Sequence, residues 1–332
     1  GTITQAGGRV VYNLASATDR QVLFDTLTPD GRFTWSLIGP DGNAVYDQYG
    51  QQLSGRRLRD SDAGSKVLFN LRGGAAYQLV VDIDGDATGS YSFRLLDLAG
   101  ATTIAYDTPV TSTPPVANAT DLYAFDAQAG DQITLERLSY TDPRPVWRLY
   151  NPTGGEVFGN TDFYYSSGVL TLQVSGRYTL AIEGYVDSNG LATQQFRVNH
   201  VGSVPVTPPT ATPLDFVAGE ASVAGTLATP YETQNHSFTL AAPARIYVDT
   251  LNAAYPDYYA IWGLSGPNGV VANRWAHDTD GVNHNGWYDL SAGDYVFSVT
   301  HPWGIAGVPY AFKLIDMGQA PVVSFGSAVN DA

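Results

Sequence analysis

The pattern Trp-x-Leu-x-x-Pro-x-Gly occurs three times in this chain of 332 residues, and it restricts the possible folds more than any other feature. It reads Trp35-Ser-Leu37-Ile-Gly-Pro40-Asp-Gly42, Trp147-Arg-Leu149-Tyr-Asn-Pro152-Thr-Gly154 and Trp262-Gly-Leu264-Ser-Gly-Pro267-Asn-Gly269. Residues two apart share one face of a strand, so each Trp points the same way as its Leu. The Pro and Gly then fall at the second and fourth positions of a type I turn. The pattern predicts strand, turn, strand, three times over.

The neighbouring residues repeat as well. Gln21-Val-Leu-Phe-Asp-Thr-Leu27 is matched by Gln132-Ile-Thr-Leu-Glu-Arg-Leu138 and Arg245-Ile-Tyr-Val-Asp-Thr-Leu251, and Tyr12, Tyr123 and His236 lie at the same distance before them. Tyr77, Tyr178 and Tyr295 open a later strand after a Gly turn, and Phe93, Phe196 and Phe312 sit in the last one. The Trp spacing of about 112 and 115 residues suits a small sandwich and is far longer than a solenoid repeat.

Period-two alternation places strands of the first unit near Val10 to Leu14, Val22 to Leu27, Phe33 to Ile38, Ala44 to Asp47, Val67 to Leu71, Tyr77 to Ile83 and Tyr91 to Leu96. No segment shows sustained helical periodicity. Pro-rich connectors at Thr108 to Val116 and Gly202 to Pro213 divide the chain, because proline stiffens a linker and denies donors to a central strand. The expected domains are residues 1–99, 100–202 and 203–319, with 320–332 a leading strand for a following repeat or a donor strand. The fold class is all-β: three tandem jelly-roll-like β-sandwiches, expected as beads in an extended row.

Composition narrows the setting. The chain is 44% hydrophobic with 35 glycines, as a globular, turn-rich protein should be. Its formal charge of −15 repels nucleic acid and anionic membranes. There is no Cys, hence no disulfide framework or thiolate metal site, and no apolar run approaches the roughly 20 residues that cross a bilayer. Acidity, many glycines, repeats and the lack of Cys together resemble the large adhesins of bacterial type I secretion.

The two ends are related. Gly1-Thr-Ile3 precedes Tyr12 as Gly225-Thr-Leu227 precedes His236, so the chain opens partway into a unit, as a processed product or a fragment. Pro321 to Ala332 resembles Pro213 to Ala224, the start of the third unit. Either the chain is a cut through a longer array, or its tail completes the first domain of another subunit by strand addition, with Pro321, Val322, Val323, Phe325 and Val329 as the assembly residues.

Where the Trp-x-Leu-x-x-Pro-x-Gly turn, the Gly-x-Tyr strand and the final Tyr-x-Phe strand line up, the units resemble the bacterial pre-peptidase C-terminal domain. The resemblance spans essentially the whole chain, three times. It implies a jelly-roll-like sandwich and an accessory role in processing, adhesion or binding. Family members often carry acidic residues around the Trp strand, whereas Thr34, Val146 and Ile261 precede the Trp here, so no metal site is expected there.

Three kinds of chemistry remain open. Alternating carboxylates at Asp60 and Asp62, Asn160 and Asp162, and Asp278 and Asp280 recur in all three units, and Asp82, Asp84 and Asp86 form a further set. These are calcium candidates, because calcium takes several hard oxygen ligands, or else solvated turns. His277-Asp-Thr-Asp280-Gly-Val-Asn283-His284 is dense in potential ligands but matches no short zinc motif and reads as a surface loop. Trp275, Trp303, Tyr255, Tyr258 and Tyr259 offer flat apolar faces for stacking on sugars, whereas Trp287 on a strand belongs to the core.

No Gly-x-Ser-x-Gly, His-Glu-x-x-His or phosphate loop is present. The expected protein is therefore a non-enzymatic structural or adhesive repeat protein, secreted or on the bacterial surface, whose partners are copies of itself or neighbouring repeats. A fibre built by strand complementation is one form of it. The alternative is a carbohydrate- or protein-binding module of a secreted hydrolase, with a glycan or surface receptor as partner.

Overall fold

A computed structural model describes residues 1–47, 51–59, 68–116, 118–141, 145–184, 193–206, 210–251, 259–267, 269–278 and 287–320. The chain is all-β, built as sheets that pack in pairs and are antiparallel except at the edge pairs of two of them, and no helix among these residues is long and apolar enough to cross a membrane.

The first sandwich contains β1 (Thr2–Ile3), β2 (Arg9–Ala15), β3 (Arg20–Thr26), β4 (Phe33–Ile38), β5 (Arg56–Arg57), β6 (Leu68–Leu71), β7 (Ala76–Ile83), β8 (Gly89–Ser90) and β9 (Phe93–Asp97). Its sheets run β2-β7-β4-β5 and β6-β3-β9, with β1 paired to β8. The second contains β10 (Thr102–Thr103), β11 (Val110–Ser112), β12 (Thr120–Ala127), β13 (Asp131–Tyr140), β14 (Val146–Tyr150), β15 (Glu156–Asp162), β16 (Leu170–Thr171), β17 (Gly176–Glu183) and β18 (Gln194–Ser203), ordered β10-β12-β17-β14-β15 and β11-β18-β13-β16. The third contains β19 (Ala211–Pro213), β20 (Glu220–Leu227), β21 (Thr233–Leu240), β22 (Ala244–Thr250), β23 (Ile261–Gly266), β24 (Gly269–Trp275), β25 (Trp287–Leu290), β26 (Gly293–Thr300) and β27 (Val308–Asp316). Its order, β19-β21-β26-β23-β24 and β20-β27-β22-β25, repeats that of the second.

The repeated residues build the three cores. Phe33, Trp35 and Leu37 alternate inward along β4, and Tyr77, Leu79, Val81 and Ile83 do so along β7. Trp35, Trp147 and Trp262 are fully buried. Trp35 stacks on Phe24 with ring centroids 4.0 Å apart, Trp262 stacks on Phe297 at 5.3 Å, and Trp147 lies 4.6 Å from Phe163. The Tyr that opens the later strand has a recurring backbone partner, since Tyr178 Oη donates to Val174 O at 2.8 Å and Tyr295 Oη to Ser291 O at 2.9 Å. The Pro-Gly segment turns as the spacing predicts: Gly42 N–H donates to Gly39 O at 3.0 Å, with Gly42 at a φ of 81° that favours glycine.

Three expectations change. Ala44 to Asp47 makes only isolated bridges, at Ile38 with Ala44 and Tyr46 with Gln52, and the short β5 pairs with β4 instead. The connectors are absorbed into sheets: β11 lies within Thr108 to Val116, and β19 within Gly202 to Pro213. Pro213 there ends a parallel edge strand, where a missing donor does no harm. The first two sandwiches are also not separate beads, because the compact units are residues 1–208 with 268–270, and 209–267 with 271–332.

The cause of that last departure lies in β3, β14 and β17. Along β3, residues Val22 to Thr26 are all buried, and so are Val146 to Tyr150 of β14 and Tyr178 to Glu183 of β17. A strand buried on consecutive residues has both faces covered. Val22 and Phe24 face their own core, while Leu23 joins Leu68, Leu98, Tyr150 and Ala181 in an apolar cluster drawn from both sandwiches.

Candidate functional site

Among the described residues, no group of three or more His, Asp or Glu side chains is placed to hold a metal ion. Asp82 lies on β7, where its Oδ1 accepts the N–H of Ile83 at 2.8 Å and Oδ2 faces Arg9 at 3.8 Å. Asp84 accepts from Arg57 Nη1 at 2.8 Å, and Gly85, at a φ of 59°, turns the chain towards the exposed Asp86. Asp162 caps the N–H of Tyr164 at 2.9 Å. Asp60, Asp62, Asp280 and His284 lie outside the described residues, as do the side chains of Asn160 and Asp278, and so do the assembly residues Pro321, Val322, Val323, Phe325 and Val329.

Polar groups concentrate at the joint between the first two sandwiches. Asp25, 1% exposed, accepts from Arg94 Nε at 2.6 Å and from Thr120 N–H at 3.1 Å, while Arg94 Nη2 donates to Thr120 O at 2.8 Å. Asn118 Nδ2 adds a bond to Thr26 O at 3.0 Å. The first sandwich thereby holds both backbone groups of Thr120, as a neighbouring strand would. Burial pushes the Asp25 carboxyl up to about 6, against the pull of Arg94. Behind it, Arg148 and Glu183 form a buried pair at 3.4 Å, and burial likewise raises the Glu183 carboxyl, with Arg148 opposing.

The third sandwich gathers aromatic rings at one end. Tyr259, in the turn before β23, lies 4.7 Å from Trp303 and 6.4 Å from Trp275, and Trp275 and Trp303 are 6.0 Å apart. His277 sits 5.9 Å from both Tyr259 and Trp275. Three of the proposed stacking residues are therefore brought together, whereas Tyr255 and Tyr258 lie outside the described residues. Trp303 is 55% exposed, and its N–H donates to His301 Nδ1 at 3.3 Å, leaving Nε2 of the buried His301 without a partner. Trp287 is half-buried, with Arg245 5.7 Å over its ring, rather than wholly internal.

Tyr231 belongs to the same end and was not readable from the sequence. It is 71% exposed and holds a φ of 60°, a left-handed conformation that is costly for a bulky side chain. Its ring lies over Gly304, where a Cβ would come within 2.6 Å of it.

The first sandwich differs from the others along two strand edges. In the third, β19 runs parallel to β21 with Thr212 opposite His236, and β20 then pairs with β27 from Glu220–Ile315 to Leu227–Val308. In the second, Thr102 lies opposite Tyr123, and β11 pairs Val110 with Phe196 and Ser112 with Gln194. In the first, among the described residues, Gly1 to Ile3 take such places: Thr2 and Ile3 pair with Ser90 and Gly89, and Tyr91 N–H donates to Gly1 O at 2.9 Å. Among the described residues, β2 and β9 each end their sheet. A cleft of about 610 Å³ borders Arg94 to Asp97 of β9, walled opposite by Thr111, Thr113 and Asp121.

No protein-family model matches the chain, and no curated protein matches it.

Proposed function

We propose that the chain is a non-enzymatic structural and adhesive repeat protein of the bacterial exterior, in which β-sandwiches act as stiff spacers. The observation that carries this reading is where the polar investment lies. The buried Asp25 and the half-buried Arg94 tie the first sandwich to Thr120 of the second, and the buried pair of Arg148 with Glu183 stands beside that joint within the second sandwich. The residues that recur in all three units, Trp35, Trp147 and Trp262 with their Tyr and Phe partners, belong to cores. The resemblance of each unit to the pre-peptidase C-terminal domain supports an accessory rather than a catalytic part. Immunogold labelling of producing cells with antibody to the third sandwich tests it: label on fibres or the outer surface is the expected result, and label confined to the cytoplasm contradicts it.

A second reading, a carbohydrate-binding accessory module, is favoured by one end of the third sandwich. Trp303 and Tyr231 expose large aromatic surfaces there, and Tyr231 does so from a strained backbone. Flat rings of this kind stack on the apolar faces of pyranose sugars. Titration of neutral oligosaccharides against the chain's tryptophan fluorescence tests this reading, which predicts a saturable change absent from Trp303→Ala.

A further inference from the structure

We propose that the second sandwich carries a glycan site built on Arg137, Tyr164 and Tyr165, and that its ligand is a pyranose chain with an isolated carboxylate, such as one uronic acid among neutral sugars. The site shares no residue with the aromatic end of the third sandwich.

The site is assembled where β13 ends. The pairing of β13 with β18 shifts register between Arg137 and Ser139, and Leu138, which that ladder skips, is 37% exposed. An irregularity of this kind bends a strand and re-aims the side chains beside it. The segment after β15 then runs along the strand. Phe163 fixes it to the core, with its ring 4.6 Å from Trp147 and its N–H donating to Pro145 O at 2.9 Å. Ser167 Oγ accepts the N–H of Leu135 at 2.7 Å, Ser167 N–H donates to Leu135 O at 2.9 Å, and Ser166 Oγ accepts the N–H of Arg137 at 3.0 Å. Between those anchors stand Tyr164 and Tyr165, 45% and 60% exposed. Asp162 holds both of their N–H groups, that of Tyr164 on Oδ1 at 2.9 Å and that of Tyr165 on its carbonyl at 3.0 Å. The rings sit on a fastened loop, so little ordering remains to be done when a ligand arrives.

The cation that the rings surround points to the ligand. The Arg137 guanidinium lies 4.9 Å from the Tyr164 ring centre and 5.4 Å from that of Tyr140, within cation–π range of both. Other arginines of the sandwiches rest on carboxylates, as Arg94 does on Asp25, Arg197 on Glu136 and Arg245 on Asp289. Among the described residues Arg137 has no such partner, and its Nε is buried without a hydrogen bond. The acid beside it on β13 is already engaged, since Glu136 Oε2 accepts from Arg197 at 2.7 Å and from Asn199 at 2.9 Å. An arginine set between tyrosines and left without a carboxylate, in a chain of formal charge −15, is a place for a carboxylate from outside. The guanidinium fork matches that group with two parallel bonds.

Two features choose a sugar over a peptide. At Leu135 and Arg137 the backbone edge of β13 is occupied by Ser166 and Ser167, so an extended peptide finds no strand edge to join. Tyr165 stands at 82° to Tyr164 with centroids 5.0 Å apart, and this orthogonal pair forms a corner that suits the apolar face of a pyranose. The net charge limits the ligand to few carboxylates, because a densely charged polymer is repelled as nucleic acid is.

Heteronuclear NMR of the full chain tests the proposal, with a trisaccharide ending in one glucuronic acid added to about 10 mM and the trisaccharide ending in glucose as neutral control. The expected result is a saturable shift of the Tyr164 amide and the Arg137 Nε–H with the acidic sugar, and binding at least about tenfold weaker with the neutral one. Arg137→Gln and Tyr165→Ala should each weaken the acidic sugar by about tenfold, the worth of a charge-assisted bond or a stacked ring, while Trp303→Ala leaves it unchanged. Tyr165 is exposed, so its replacement reads binding even where Arg137→Gln fails to fold. The proposal is overturned by no binding of the acidic sugar, by equal affinity for the two sugars, or by binding that survives Tyr165→Ala. Loss of binding in Trp303→Ala overturns it too, by placing the sugar on the third sandwich, as does a triglutamate peptide that binds the same residues as tightly as the acidic sugar.

Discussion

Asp25 of the first sandwich accepts the backbone N–H of Thr120 in the second at 3.1 Å, and Arg94 returns a bond to the Thr120 carbonyl at 2.8 Å. A buried carboxylate that bridges two sandwiches makes their union sensitive to pH. With its folded value raised to about 6 from the ordinary carboxylate value of 3.8, Asp25 binds its proton more tightly in the folded state. Its contribution to stability is therefore fully present below about pH 4 and is lost as pH rises through about 6. Melts of the wild type and Asp25→Asn between pH 4 and 7 check this: the wild type should lose stability relative to the variant over that window, and parallel curves would contradict the assignment.

The pair of Arg148 with Glu183 predicts a larger effect of opposite pH sense. Arg148→Ala leaves a buried carboxylate without its cation, which costs about 3–5 kcal/mol at neutral pH. Acidification protonates Glu183 and should restore part of that loss, so the penalty measured by denaturant unfolding shrinks towards low pH.

Trp147 is fully buried against Phe158 and Phe163, so Trp147→Ala should destabilise the second sandwich by about 3–5 kcal/mol. Chemical denaturation followed by near-ultraviolet dichroism reads the change. No shift in midpoint would contradict the core placement.

Leu23 faces Leu68, Leu98, Tyr150 and Ala181 across the joint. Leu23→Asp puts a charge into that cluster and should split one cooperative transition of residues 1–208 into two, seen by calorimetry. A single transition, merely shifted, would mean that the cluster does not couple the sandwiches.

Tyr231 offers a test in which stability and binding move in opposite directions. Glycine adopts a φ near 60° without strain, so Tyr231→Gly should stabilise the third sandwich by up to about 1 kcal/mol. On the carbohydrate reading the same variant weakens binding of neutral oligosaccharides. Lower stability in melts would show that the ring's contact with Gly304 outweighs the strain.

How much of this was legible in the sequence depends on the range of the interaction. Trp35, Leu37, Tyr77 and Phe93 were readable because alternation along a strand is local and the repeat shows it three times. The joint was only half visible. Val22-Leu-Phe24 is a continuous apolar run, the mark of a strand covered on both faces, but Asp25 finds Thr120 across 95 positions, which no local pattern reveals. Arg148 stands between two core residues of the repeated motif, where alternation turns it to the outer face, so its burial follows only from the cover over that face, and Glu183 as its partner depends on the pairing of β14 with β17. The aromatic end was legible through Trp275, Trp303 and Tyr259, but Tyr231 was not, because its exposure follows from a backbone angle that residue type does not encode.

The most direct test of a spacer built from sandwiches is single-molecule stretching of the full chain at neutral pH. A sandwich of about 100 residues releases roughly 30 nm of chain when it unravels. The account predicts abrupt steps of that size at high force, recovered on relaxation, with Leu23→Asp lowering the force of the steps from the first two sandwiches. Gradual extension at low force, without discrete steps, would contradict it.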